Sequence, residues 1–160
     1  MGTKQHRVGG RILLALQYWE GDKARAGELA RFIASIEPTK RVDADFLLSA
    51  RFDCSHDPSV VEVVGSRFDV FTSIGTTKLT GHPDGSFGLW HDTLDAASKL
   101  GRSYDCILTF EADCTPLVRD WVPRLLDVWA SEAAPEDRIA IGQRWGPPDI
   151  AHPHINGNML

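Results

Sequence analysis

From Arg11 to Trp19 the chain reads RILLALQYW, an almost unbroken apolar run. Such a run suits a parallel strand covered on both faces, which has no polar side to show. A polar turn, Glu20-Gly21-Asp22, follows, with Asp22 placed to cap a helix. Leu29, Phe32, Ile33 and Ile36 then recur at the spacing of one helix face, and Pro38 ends that helix. A second strand is expected over 45–51 and a third over 70–74. Between them a short helix over 56–64 is expected, despite the β-branched Val60, Val61, Val63 and Val64. The loop GHPDG at 81–85 leads into a helix capped by Asp84 or Ser86, in which Phe87, Trp90, Leu94, Ala97 and Leu100 share a face. A fourth strand covers 105–110. Pro116 suits the first turn of the next helix, lined by Leu117, Trp121, Leu125 and Val128, and a fifth strand is expected over 138–142.

Strands alternating with helices predict an α/β fold, a Rossmann-like and mostly parallel sheet with helices on both faces and right-handed crossovers. Ligands in such sheets bind beyond the carboxyl ends of the strands. Three segments fall there: 17–22, 51–57 and 111–113. The whole chain, 1–160, reads as one domain with 1–10 as a flexible lead-in. Its end, NGNML, closes on an apolar pair after a loop, which predicts a C-terminal part completed by a partner or by further chain.

The fourth strand runs directly into Glu111-Ala112-Asp113. In extended chain, residues i and i+2 point the same way, about 7 Å apart, so the two carboxylates project together. Paired carboxylates at a ligand edge suit Mg2+ or Mn2+, which bind through one or two acids plus substrate phosphates. The alternative is structural: Glu111 closes its own loop and Asp113 caps the helix near Pro116. No GxGxxG and no GxxxxGK[ST] is present, so phosphates here need another holder than a glycine-rich turn.

Composition acts mainly by exclusion. A net charge of -5 argues against general affinity for nucleic-acid phosphates. No apolar run approaches the ~20 residues of a membrane span, and MGTKQHRVGG lacks the apolar core of a secretory signal. Cys54, Cys106 and Cys114 form no CxxC pair and read as reduced thiols of a cytoplasmic protein. His152 and His154 in AHPHI read as a polar loop rather than a metal pair. Tyr18 is open to a core or a ligand role. Trp19 and Trp90 read as core aromatics, and Asp53 and His56 as polar loop residues.

Taken together, LLALQYWEGD, GHPDGSFGLW, LTFEADCTPL and HINGNML resemble the nucleotide-sugar half of GT-A-fold glycosyltransferases over about residues 11–160. Those enzymes carry an acid-x-acid motif at a strand end, and some carry an H-x-N-G segment after it. The resemblance implies a metal-dependent transferase that moves a sugar from a UDP- or GDP-sugar to an acceptor hydroxyl. It implies Asp113 and Glu111 at an Mn2+ or Mg2+ ion, with Asp113 the main ligand; Glu111, in place of the usual Asp, would reach the ribose or a metal-bound water. Gln17, Tyr18 and Glu20 would face the nucleotide, Asp84 and Gly85 would line the same pocket, and His154, Asn156 and Gly157 would meet the donor sugar or the acceptor. A nucleotide-binding module without catalysis, a nucleotidyltransferase and a structural domain remain the competing readings.

Overall fold

The computed structural model describes residues 10–132, 142–145 and 154–159. The chain is α/β, as its pattern predicts. Its strands are β1 (Ile12–Tyr18), β2 (Ala44–Ala50), β3 (Asp69–Ile74), β4 (Cys106–Glu111), β5 (Gly142–Trp145) and β6 (His154–Met159). Four helices are described: α1 (Lys23–Ile36), α2 (Pro58–Gly65), α3 (Asp84–Ser98) and α4 (Trp121–Glu132). They accompany a sheet of order β3-β2-β1-β4-β6-β5. β3, β2, β1 and β4 pair in parallel, whereas β6 runs antiparallel to both β4 and β5. Of the fifth strand expected over 138–142, residues 138–141 lie outside the described residues, and Gly142 opens β5. His154 and the residues up to Asn158, expected as a loop before an apolar pair, form β6 together with Met159, because their backbone finds partners in β5 and β4 that local sequence does not reveal.

All residues of β1 are buried, since helices cover both of its faces. Ile12, Leu14, Leu16 and Tyr18 face one side, where Leu29 and Ile33 of α1, Val60 and Val64 of α2, and Trp121, Val122 and Trp129 of α4 pack. Leu13 and Ala15 face the other side and meet Ala97 of α3. The chain thus crosses to the second face when it passes from β3 to β4. That crossing makes β1 and β4 the neighbours at which the winding of the sheet reverses, the place where an open α/β sheet leaves a crevice.

Several helix faces differ from their expected registers. On α3 the buried residues are Gly85, Gly88, Leu89, Thr93 and Ala97, while Phe87 is 60% exposed. An apolar-periodicity reading passes over glycine and threonine, which are buried here because α3 packs tightly under the loop 75–83. A Cβ on Gly85 would lie 3.0 Å from Thr80 backbone, and one on Gly88 would lie 2.8 Å from the Thr77 methyl. Phe32 of α1 is likewise exposed, with Ala26 and Ala30 buried in the inward stripe. α4 begins at Trp121, not near Pro116: Leu117 is 93% exposed, so nothing is gained by coiling there. Trp121 instead anchors the helix by donating its indole N–H to the buried Glu37 at 3.0 Å, and Pro123 occupies the first turn, where no intrahelical N–H is lost.

Candidate functional site

The carboxyl ends of β1 and β4 open into a cleft of about 440 Å3, within the ordinary range for small-molecule sites. Gln17, Tyr18 and Trp19 come from the end of β1, Asp22 from the turn after it and Glu111 from the end of β4. Arg51 enters from the end of β2. The roof is the loop before α3, with Thr80, Gly81 and His82, and the first turns of α3, with Gly85, Ser86 and Leu89.

That roof is bolted to α3. Asp92 accepts from the Thr77 amide at 3.0 Å and from the Thr77 hydroxyl at 2.9 Å. Gly81 takes a positive φ of 78°, which lets the chain turn down toward α3 and brings His82 to the cleft.

Gln17 is 5% exposed and its amide donates to Thr93 Oγ1 at 2.8 Å. Thr93 passes its own proton to the Leu89 carbonyl at 2.7 Å, so Ser49, 2.7 Å away, donates to Thr93 as well. This buried polar seam fixes the cleft floor to α3. Tyr18 is among the cleft's lining residues, but its side chain packs in the core and its hydroxyl is committed to His56 Nδ1 at 2.5 Å. His56 Nε2 faces the Ser73 carbonyl at 3.0 Å and must carry the proton, so Nδ1 accepts from Tyr18. Burial lowers the His56 pKa and raises that of Tyr18, which keeps both neutral. His56, expected as a loop residue, is thus a brace between β1, β3 and the start of α2.

Glu111 lines the cleft together with Asp22, whose carboxylate lies 3.7 Å from Arg25; Asp113 is near Glu111 but does not line the cleft. The Glu111 pKa is raised by partial desolvation and then by the charges of Asp113 and Asp22, with His82 opposing. The helix-capping role for Asp113 fails, since α4 begins well beyond it. The loop after β4 closes through backbone, with the Cys114 amide donating to the Glu111 carbonyl at 3.1 Å. Asp113 is exposed and accepts a weak hydrogen bond from the Cys114 thiol at 3.8 Å. Among the described residues no three His, Cys, Asp or Glu side chains are grouped tightly enough to hold a metal ion alone.

The other expected site residues divide. Gly85 lines the cleft, whereas Asp84 does not. Glu20 also leaves the lining, and the nearby Cys54 thiol, which donates to the Ser55 carbonyl, is pushed up to about 11 by burial and then by Glu20. Asp22 occupies the N-cap position of α1 without capping it and serves the cleft instead. His154, Asn156 and Gly157 lie on β6, and their side chains are outside the described residues. The cysteines are free thiols; Cys106 is pushed up to about 12 by burial, and Cys114 is raised as well.

Pattern reading missed Trp19, which is 45% exposed on the rim rather than in the core. It also gave no role to Arg51, although the segment 51–57 sits at the strand end where ligands gather. His82 and Thr80 carry no local signal, because only the packing of the loop on α3 delivers them. No helix among the described residues is long and apolar enough to cross a membrane. The chain matches no protein-family model and no curated protein.

Proposed function

We propose that this cleft is the donor site of a metal-dependent glycosyltransferase, binding a nucleoside-diphosphate sugar and transferring the sugar to an acceptor hydroxyl. The observation that carries the reading is the meeting of the β1 end and the Glu111–Asp113 acids at the reversal point of the sheet. Oxygen donors alone, two carboxylates with a third acid nearby, fit Mn2+ or Mg2+ rather than a soft metal. Asp113 would hold the ion with Glu111 beside it, and ligand phosphates would fill the remaining positions, which suits acids that form no closed cage. When bound, such an ion neutralises the departing diphosphate.

The chain's own residues define the rest of the site. The seam through Gln17, Thr93 and Ser49 keeps the floor rigid, and the roof from Thr80 to Ser86 limits water access. In transfer, the acceptor oxygen bonds the anomeric carbon as the bond to the diphosphate oxygen breaks, and the hydroxyl proton is released.

The test is thermal stabilisation by UDP and by GDP, with and without Mn2+, in the wild type and in Asp113→Asn. A ligand at ~100 times its dissociation constant should add about 2.7 kcal/mol. Stabilisation that needs Mn2+ and vanishes in Asp113→Asn is the expected outcome. Stabilisation without any sugar transfer or donor hydrolysis would reduce the cleft to a nucleotide-binding module. No stabilisation by either nucleotide would sink the reading.

A further inference from the structure

Arg51 lines the cleft with its side chain only 13% exposed. Asp53 grips one edge of the guanidinium: Nε donates to Oδ1 at 2.8 Å and Nη2 to Oδ2 at 2.5 Å. The Trp19 ring lies 5.1 Å from the guanidinium carbon and the Phe52 ring 5.8 Å. Trp19 is itself folded over Gly21, where a Cβ would fall 2.3 Å from the indole. A guanidinium fixed by a carboxylate and flanked by aromatic rings loses little more freedom when a ligand binds.

Asp53 consumes Nε and one hydrogen of Nη2. The end of the fork, formed by Nη1 and the second Nη2 hydrogen, has no acceptor among the described residues, and Asp53 does not line the cleft. Toward the cleft, Arg51 therefore offers adjacent donors and no acceptor.

We propose that Arg51 selects a guanine base, making the preferred ligand a guanosine diphosphate derivative; this rests on the nucleotide reading above. β1 lies between β2 and β4, so Arg51 and Glu111 stand two strand spacings apart, about 10 Å. With the phosphates at the Glu111–Asp113 end, the base of a nucleotide extends toward β2. Guanine presents O6 and N7 as adjacent acceptors, which a guanidinium fork meets with two parallel hydrogen bonds. Adenine puts an amino donor where O6 stands and opposes the fork. Uracil offers separate carbonyls and no such pair. A phosphate at the fork is disfavoured, because it would sit beside Asp53 and leave the Glu111–Asp113 acids with no anion to bridge to.

The experiment is a titration of the wild-type protein in Mn2+ with GDP, IDP, 7-deaza-GDP, ADP and UDP, repeated on Arg51→Lys. IDP keeps O6 and N7 and should bind like GDP. ADP, UDP and 7-deaza-GDP should bind about 10- to 100-fold more weakly. Arg51→Lys keeps the charge without the fork and should bring GDP down to the level of UDP. ADP, UDP or 7-deaza-GDP binding as tightly as GDP would overturn the guanine assignment and leave the diphosphate site standing. If no nucleoside diphosphate binds, both readings fall. The analogue series uses the unaltered chain, so a poorly folded variant cannot mask the answer.

Discussion

The two ends of the parallel sheet use the same side chains to opposite effect. At the amino end, Asp45 has no exposed surface and accepts from Arg11 Nε at 3.2 Å, Arg102 Nη1 at 2.9 Å and the Tyr104 hydroxyl at 2.7 Å. Nearby, Glu37 accepts from Arg41 at 3.1 Å and from Trp121. A depression of about 530 Å3 lies beside Glu37, larger than the cleft; of its acids, Glu37 and Asp43 are paired with Arg41, and Asp127 lines it as well. At the carboxyl end, the pKa of Glu111 is raised by desolvation and then by the charges of Asp113 and Asp22. The amino-end carboxylate Asp45 is held inside the fold, whereas Glu111 and Asp22 line the cleft, Asp22 with Arg25 3.7 Å away. Size alone would favour the amino end; the grouping of acids around Glu111 is what supports the carboxyl end as the proposed site.

The largest effect is expected from breaking the amino end. Asp45→Ala leaves Arg11, Arg102 and the Tyr104 hydroxyl facing an empty buried site, with Asp69 as the arginines' remaining carboxylate. Loss of one member of a buried ion pair costs about 3–5 kcal/mol. Here about 3 kcal/mol is expected, because the two arginines keep 34% and 35% of their side-chain surface in solvent. A urea midpoint measured against wild type checks this. A loss below about 1 kcal/mol would mean that the network is ornamental and the contrast between the ends is false.

The next effect belongs to the roof. Gly85→Ala puts a Cβ 3.0 Å from the Thr80 backbone, so the loop must lift by a few tenths of an ångström. The strain is offset in part by the better helix propensity of alanine, leaving a net cost of about 1 kcal/mol or less. Ligand affinity should fall much further than stability, because Thr80, Gly81 and His82 move with the loop. Paired thermal melts with and without GDP and Mn2+ separate the two quantities. Equal binding by the variant would remove the roof from the site.

Asp113→Asn should do the reverse of Asp45→Ala. With no ligand present, its stability should match wild type within about 0.5 kcal/mol or rise slightly, since it relieves repulsion at an exposed position. A clear loss of ligand-free stability would mean that Asp113 serves the fold.

How far the sequence foretold this contrast depends on the range of each interaction. RILLALQYW marks β1 without ambiguity, because burial on both faces writes itself into every position. Glu111-Ala112-Asp113 announces itself as acids at a strand end, but not by the extended geometry expected: β4 stops at Glu111, and Ala112 and Asp113 form a turn closed by the Cys114 amide on the Glu111 carbonyl. Asp45 gives no such notice: within DADFLLSA it looks like a polar residue at a strand edge, and its partners come from positions 11, 102 and 104. Arg51 and Trp19 are legible only once β1 and β2 are paired in register, with Tyr18 opposite Ala50. The faces of α1 and α3 were misjudged for a local reason. Beside Leu29, Ile33 and Leu89, their inward residues are Ala, Gly and Thr, which suit close approach rather than hydrophobic periodicity.

The smallest and sharpest comparison is with pH, in metal-free protein. Asp69, held by Lys40 and then Arg102, has its pKa lowered to about 2 from an ordinary 3.8. A lowered carboxyl pKa contributes stability above the unfolded value, and that contribution is lost as pH falls from 3.8 toward 2. Glu111 is raised from an ordinary 4.5 by desolvation and by Asp113 and Asp22, so the fold prefers its protonated form. Its contribution is complete below 4.5 and lost as pH rises through the folded value, leaving a cost at neutral pH. Asp69→Asn should therefore be less stable than wild type at pH 7, and Glu111→Gln more stable. Both differences should shrink on acidification, the first toward pH 2 and the second below 4.5. Each should be under about 1 kcal/mol, because both groups are solvent-screened. Thermal melts of the three proteins from pH 2.5 to 7 read the signs directly, on a scale where about 1 kcal/mol moves the midpoint by a few degrees. Opposite signs at pH 7 would mean that the fold is stabilised by its charge at one end and strained by it at the other, where a bound cation could relieve the strain. Equal signs would dissolve the distinction, and with it the reason to look for a ligand at Glu111.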